Sequence, residues 1–135
     1  MEPRAGTQRQ RVVLLGAALA GGSQRLGVVN APNGRYHPLL VVQAAATLER
    51  MFPGRLWLAV GSGEALNECA AGTPWPDKAA RNARLLEAVQ VMRRLWRGEE
   101  VDHAGSFVVR QARLYSLPAR PPPLLLAALS VQTAA

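Results

Sequence analysis

The segment "PLLVVQAAATLERMFPGRLWLAVGSGEALNE", residues 38–68, contains a helical pattern, a turn and an apolar run in direct succession. Its first part has the length and the Ala and Leu content of a helix, and Pro38 fits the first helical position. Pro53-Gly54 ends this pattern, and the short apolar run Leu56–Val60 follows. We therefore predict a helix over residues 39–52 and a strand buried on both faces over residues 56–60.

The residues before this segment predict a second strand, parallel to the first. Leu26 to Val29 form a short apolar run after a two-glycine break, and "NAPNG", residues 30–34, has the composition of a loop. A right-handed strand, helix, strand unit makes its two strands parallel. The loops "NAPNGRYHP" and "GSGEALNE" should therefore emerge at the same edge of the sheet.

The second half of the chain predicts a long helix, a hairpin and a third strand. Residues 78–96 are amphipathic, and Gly98 is placed to cap that helix. A hairpin outside the sheet is predicted over residues 100–109, and the third parallel strand over residues 124–128. The apolar stripe of the long helix recurs at the helical period and consists of Leu85, Val89, Met92 and Trp96.

Length and composition favour one globular domain as the default. The 135 residues are 49% hydrophobic and 19% charged, and a complete (β/α) barrel needs about 250 residues. The net charge of +7 comes mostly from arginines that are scattered without a run, which we interpret as solubility charge and not as a nucleic-acid surface. A lone cysteine, Cys69, is typical of a reducing compartment.

The apolar run of residues 12–20 imitates a signal peptide, because arginines precede it and Ala-Leu-Ala ends it. It is too short to cross a membrane, and a glycine break and a strand follow directly. We interpret it as a small buried helix, and we expect a cytoplasmic protein with no membrane partner.

The candidate functional residues follow the strand over residues 56–60. Gly61 and Gly63 flank Ser62, so the backbone can approach a ligand closely. Glu64 and Asn67 are three residues apart and share one face if a helical turn begins there. This combination predicts a binding site.

The two histidines receive structural interpretations. His37 lies next to Pro38 at a helix entrance, which favours a capping or packing role over catalysis. His103 lies in the predicted hairpin, where we expect it to be exposed. No metal site is predicted.

Three ordered stretches, "RYHPLLVVQAAATLERMFPGRLWLAVGSGEALNE", "LLEAVQVMRRLWRGEEVDHAGSFVV" and "ARLYSLPARPPPLLLAA", closely resemble the luciferase-like superfamily. Within it, they resemble the glucose-6-phosphate dehydrogenase-like oxidoreductases that use the deazaflavin coenzyme F420. The resemblance implies an α/β fold, an incomplete TIM (β/α) barrel with parallel strands and an inserted hairpin. It divides the chain into a non-matching tail, residues 1–11, and a truncated luciferase-like barrel domain, residues 12–135.

The resemblance also implies roles for residues of the two loops. Ser62 and Gly63 would lie against the deazaflavin, and Asn67 would donate or accept a hydrogen bond to the coenzyme. Glu64 would be the carboxylate that handles a proton as the hydride moves. Ala31 would line the same pocket, at a position where the family often has a small polar residue.

Departures from the family pattern leave three functions open. The chain has no counterpart of the family's Asp-His pair, and Leu129-Ser130-Val131 stands where the family has a Gly-rich turn for the coenzyme phosphate. The first reading is an F420-dependent oxidoreductase acting on a small sugar-phosphate or alcohol-like substrate. The others are an FMN-dependent monooxygenase of the same superfamily and an inactive fragment or binding-only half-barrel. A homodimer or a complementing chain would cover its exposed strand edges.

We predict that the chain alone binds coenzyme F420 weakly or not at all and transfers no hydride. The family's proton-transfer His has no counterpart in this sequence, and loss of an acid-base partner removes about a hundredfold to ten-thousandfold in rate. Fluorescence titration of the deazaflavin and a turnover assay with glucose-6-phosphate test both parts. Micromolar binding together with turnover that depends on Glu64 would contradict this prediction.

Overall fold

The computed structural model of the chain describes residues 10–128. The predictions for residues 1–9 of the tail and for Leu129-Ser130-Val131 lie outside these residues. In chain order the elements are α1 (Arg11–Ala20), β1 (Leu26–Asn30), α2 (Pro38–Met51), β2 (Leu56–Val60), α3 (Ala65–Glu68), a 3-10 turn (Cys69–Ala71), α4 (Lys78–Trp96), β3 (Val101–Ala104), β4 (Val108–Ala112) and β5 (Leu124–Leu126).

The three predicted parallel strands form one sheet in the order β1-β2-β5. β1 pairs with β2 from Leu26 opposite Leu56 to Asn30 opposite Val60, and Val60 also lies opposite Leu126 of β5. The parallel arrangement is confirmed, whereas the prediction of a strand over residues 124–128 is too long. β5 ends at Leu126, although the Ala127 N–H still donates to the Val60 carbonyl at 2.8 Å.

α2 packs against β2, α4 packs against α2, and the two helices supply more than half of the buried apolar residues. Met92 and Leu95 of α4 are fully buried, and the indole Nε1 of Trp96 donates to the Val42 carbonyl of α2 at 3.3 Å. The predicted apolar stripe is buried except for Val89, which is half-buried at the margin of the core. Gly98 follows α4 with φ +80°, the left-handed conformation that ends helices and suits glycine.

The helix predicted for residues 12–20 is present as α1, but it buries one side only. Leu15 and Leu19 face the core, whereas Val13 and Leu14 are 68% and 50% exposed. The spacing of four residues between the two buried leucines places them on one face, which is the amphipathic pattern of a surface helix.

The hairpin of β3 and β4 lies outside the main sheet, as predicted, and extends to Ala112. Glu87 of α4 fixes it: its carboxylate accepts hydrogen bonds from His103 Nε2 at 2.9 Å and from the hydroxyl and amide of Ser106 at 2.8 Å each. The prediction that His103 is exposed is wrong, because its side chain is only 21% exposed and its ring lies tilted against Phe107 with centroids 4.6 Å apart. The hairpin is therefore a docked element.

His37 performs the predicted capping and packing. Its Nδ1 accepts from the Leu39 N–H at 3.2 Å at the start of α2. Its Nε2 lies 3.1 Å from the Val108 carbonyl of β4, so Nε2 carries the ring hydrogen and donates it. His37 thereby joins the loop after β1 to the hairpin.

We predict that the Glu87 contacts stabilise the fold only above acidic pH. Hydrogen bonds from the Ser106 hydroxyl, then the Ser106 amide and His103, hold the pKa of Glu87 below its ordinary value. A carboxyl whose pKa is lowered on folding contributes stability above its unfolded pKa and loses it as the pH falls through the folded pKa. Glu87→Gln should cost roughly 1 kcal/mol at pH 7 by urea unfolding, and the difference should shrink below about pH 4.

The matched control is Glu100→Gln, an exposed carboxyl at the start of the hairpin, which should leave stability unchanged at both pH values. A Glu87→Gln difference that stays constant from pH 7 to pH 3 would contradict the role of ionised Glu87.

Candidate functional site

A cleft of about 260 Å³ opens at the carboxyl edge of the parallel sheet. The loops that follow β1, β2 and β5 form its walls, because all three strands end at the same level. The structure brings together in this cleft all five residues predicted for the site, Ala31, Ser62, Gly63, Glu64 and Asn67. Their chemical roles stay predictions.

The turn after β2 depends on Gly63. Its φ of +84° is a conformation that residues with a side chain rarely adopt. A Cβ at this position would lie 3.2 Å from Glu68 Cγ and 3.3 Å from Asn33 Nδ2. Asn33, which is buried, donates from Nδ2 to the Ser62 carbonyl at 3.3 Å and so ties the loop after β1 to this turn.

Glu64, the N-cap residue of α3, lies beside Asn67 of the same helical turn, as the spacing predicted. Asn67 Nδ2 donates to Glu64 Oε2 at 3.3 Å, and the Glu64 side chain makes no capping hydrogen bond to α3. Asn67 Oδ1 is buried and has no hydrogen-bond partner among the described residues. A buried acceptor without a partner is costly, so this oxygen is suited to an N–H or O–H donor from a ligand.

Sequence reasoning missed four charged residues of the cleft: Arg11, Arg35, Glu68 and Lys78. Arg35 donates from Nη2 to the Tyr36 hydroxyl at 3.0 Å, and Lys78 Nζ lies 3.4 Å from Ser62 Oγ. The interpretation of the arginines as dispersed solubility charge is therefore wrong for Arg35. A signal was present, since Lys78 is the single lysine of the sequence and Glu68 follows Glu64 by one helical turn.

Two residues assigned to the tail also reach the site. Gln10 and Arg11 line the cleft, and Arg11 Nη1 donates to the Val29 carbonyl at 3.3 Å. The cleft is thus bordered by cationic and anionic side chains around the glycine backbone of residues 61–63.

Within residues 10–128, no helix is long and apolar enough to cross a membrane. The same residues hold no group of three or more His, Cys, Asp or Glu side chains placed to bind a metal ion.

Comparison with known proteins shows the family. The model of the family described as luciferase-like monooxygenase matches residues 4–135. The chain belongs to the luciferase-like monooxygenase family. An F420-dependent glucose-6-phosphate dehydrogenase of Beutenbergia cavernae is 47% identical over 117 residues, which are 84% of this chain and 35% of that protein. The chain thus spans about a third of the length of the curated relatives it matches.

Solved structures of the luciferase-like family share the fold. An F420-dependent secondary alcohol dehydrogenase in complex with an F420-acetone adduct superposes with a TM-score of 0.86 and 35% identity, covering 95% of this chain and 40% of that one. A monooxygenase from Streptomyces bottropensis superposes with a TM-score of 0.70 and 29% identity, covering 89% and 37%. The predicted class, an α/β fold corresponding to part of a luciferase-like barrel, is confirmed.

We predict that Gly63→Ala destabilises this luciferase-like domain by about 1–2 kcal/mol, because it forces a side chain into positive φ and against Glu68 and Asn33. The control is Gly61→Ala, two residues earlier, whose Cβ would meet Ala127 at an ordinary 3.5 Å. That change should be neutral or slightly stabilising. Urea unfolding measures both, and equal effects of the two substitutions would contradict the role of the Gly63 conformation.

Proposed function

We propose that this chain forms the coenzyme-facing wall of an F420-dependent oxidoreductase, which transfers a hydride between an alcohol-like or sugar-phosphate substrate and the deazaflavin. The observation that carries the proposal is the Glu64–Asn67 pair, joined at 3.3 Å, beside the Gly61–Gly63 turn. Relatives named for coenzyme F420 act on glucose-6-phosphate and on a secondary alcohol, which supports the cofactor and the broad substrate class.

The residues of the cleft fit such a coenzyme. The unpartnered Asn67 Oδ1 is an acceptor for the N–H edge of a heterocycle, and the glycines leave room for a flat ring against the backbone. When bound, coenzyme F420 supplies the hydride-accepting ring. Asn67 then orients that ring, and the Gly61–Gly63 backbone supports it.

Glu64 is suited to proton transfer at the same place. It is exposed to the cleft, and only its Oε2 accepts the Asn67 hydrogen bond. Among residues 10–128, Glu64 makes no ion pair. Oxidation of an alcohol releases one proton for each hydride, and a carboxylate held in place in this way can carry that proton. Lys78 and Arg35 on the cleft wall favour the negative charge that hydride transfer places on a ring.

The second candidate is an FMN-dependent monooxygenase, favoured by the structural match to the Streptomyces bottropensis monooxygenase. The two candidates differ in the cofactor they bind, and both place it in the same cleft. The proposal also includes a small-molecule substrate, a reducing cytoplasmic location and completion of the sheet edges by a second copy or another chain.

We predict that coenzyme F420 perturbs the backbone amide resonances of Gly61, Gly63 and Asn67 in a titration of ¹⁵N-labelled chain, which detects millimolar affinity. The amide of Gly54, in the turn before β2 at the opposite edge of the sheet, should not shift. Asn67→Ala should weaken binding about threefold to tenfold, because one hydrogen bond to the ligand is lost. The matched control is Gln90→Ala, which removes an exposed carboxamide from α4 and should leave the affinity for coenzyme F420 unchanged.

A stronger response to FMN than to coenzyme F420 would favour the monooxygenase. Absence of any response in the cleft to either cofactor would overturn the proposal and support an inactive or differently functioning domain.

A further inference from the structure

Glu68 is a buried carboxylate for which the proposed chemistry has no use. Its side chain is 4% exposed, although it lies on the cleft wall. Among the described residues, no cation lies within ion-pair distance of it. Burial of a charged group without an opposite charge is costly, so Glu68 must be compensated by hydrogen bonds from fixed groups.

The compensating donor is a backbone amide of the opposite loop. Glu68 Oε2 accepts from the Arg35 N–H at 3.0 Å, and 33 positions separate the two residues in sequence. The Arg35 side chain contacts α3 in return, because its Nη1 donates to the Asn67 carbonyl at 3.5 Å. The loop after β1 and helix α3 are therefore cross-linked in both directions at one residue.

The main chain of Glu68 is also held. Its carbonyl accepts from Thr73 Oγ1 at 3.4 Å, and Thr73 in turn lies against Gly34 of the loop after β1, where a Cβ would be 2.7 Å from Thr73 Oγ1. Glu68 Cγ also lies against Gly63, at 3.2 Å from the position of a Cβ. One residue thus contacts the loop after β1, the glycine turn after β2 and the segment after α3.

We infer that Glu68 is a positioning residue of the cleft: it fixes the loop after β1 to α3, and thereby sets the position of Asn67 on the cleft wall. Glu68 itself touches no reacting group. The inference rests on the proposed function for the identity of the ligand, whereas the anchoring itself can be measured without any ligand.

The first experiment measures hydrogen exchange of the Arg35 amide by NMR in the full chain. In Glu68→Ala the amide loses its acceptor, and its exchange should rise about tenfold. In Glu68→Gln a neutral carboxamide oxygen can still accept from the Arg35 amide, but hydrogen bonds to charged acceptors are stronger. The exchange rate of this amide should therefore rise about threefold. The Gly54 amide, which donates to Glu49 Oε1 at the other edge of the sheet, is the internal reference and should be unchanged.

The second experiment repeats the coenzyme F420 titration with these variants. Glu68→Ala should weaken binding about tenfold, Glu68→Gln should restore most of the affinity, and Glu100→Ala at an exposed position should have no effect. Glu68→Gln keeps the side-chain shape and an acceptor oxygen but removes the charge. Restored affinity in this variant therefore indicates a positioning role, whereas a loss as large as in Glu68→Ala would indicate a role of the carboxylate charge. If Glu68→Ala does not fold, Glu68→Gln alone tests the anchoring. A threefold faster exchange of the Arg35 amide in that variant supports it.

Unchanged Arg35 exchange in the variants would overturn the inference. If the wild-type chain binds coenzyme F420 and Glu68→Ala binds it equally well, the positioning role is overturned. The proposed function is unaffected by that result. A wild-type chain without any response in the cleft would overturn the proposed function and the positioning role with it.

Discussion

The pairing of β1 with β2 is the interaction on which the rest of the structure depends, and Gly27 fixes its register. Gly27 lies directly opposite Trp57, and a Cβ on Gly27 would lie 2.0 Å from the indole ring. A shift of one residue would place Val28 or Leu26 under that ring, which sterics exclude, and would turn the side chains to the opposite face. The glycine and the tryptophan therefore select a single alignment of the two strands.

This alignment decides where the cleft forms. Because Asn30 and Val60 end their strands at the same level, the loops after them face one another across a short distance. Asn33 can then reach the Ser62 carbonyl, and Glu68 can reach the Arg35 amide. Short polar contacts between two loops are stable here because each loop leaves a strand that is already paired.

The hairpin extends the same network away from the sheet. His37 begins α2 directly after the loop of the cleft and donates to the β4 carbonyl of Val108. Phe107 lies between the rings of His37 and His103, with centroids 5.6 and 4.6 Å away. A local element outside the sheet is thus packed against the same loop that lines the cleft, so its docking supports the start of α2.

The sequence by itself determined the order of the elements, the parallel sheet and the segment after β2 that lines the cleft. These features follow from local patterns: Pro38 and Pro53-Gly54 bound α2, apolar runs mark the strands, and the spacing of Glu64 and Asn67 is that of a helical turn. Their physical causes lie within a few residues of chain, so they can be recognised before the fold is known.

Only the tertiary structure decided which charged and polar groups meet. Nothing local distinguishes Arg35 from the other arginines, or His103 from an exposed hairpin residue, because Asn67 and Glu87, which hold them, come from distant parts of the chain. The length of β5 was decided in the same way, by pairing with β2. Glu68 is buried because the register of two strands brings the Arg35 amide to it, and such a long-range contact leaves no periodic signal in the sequence.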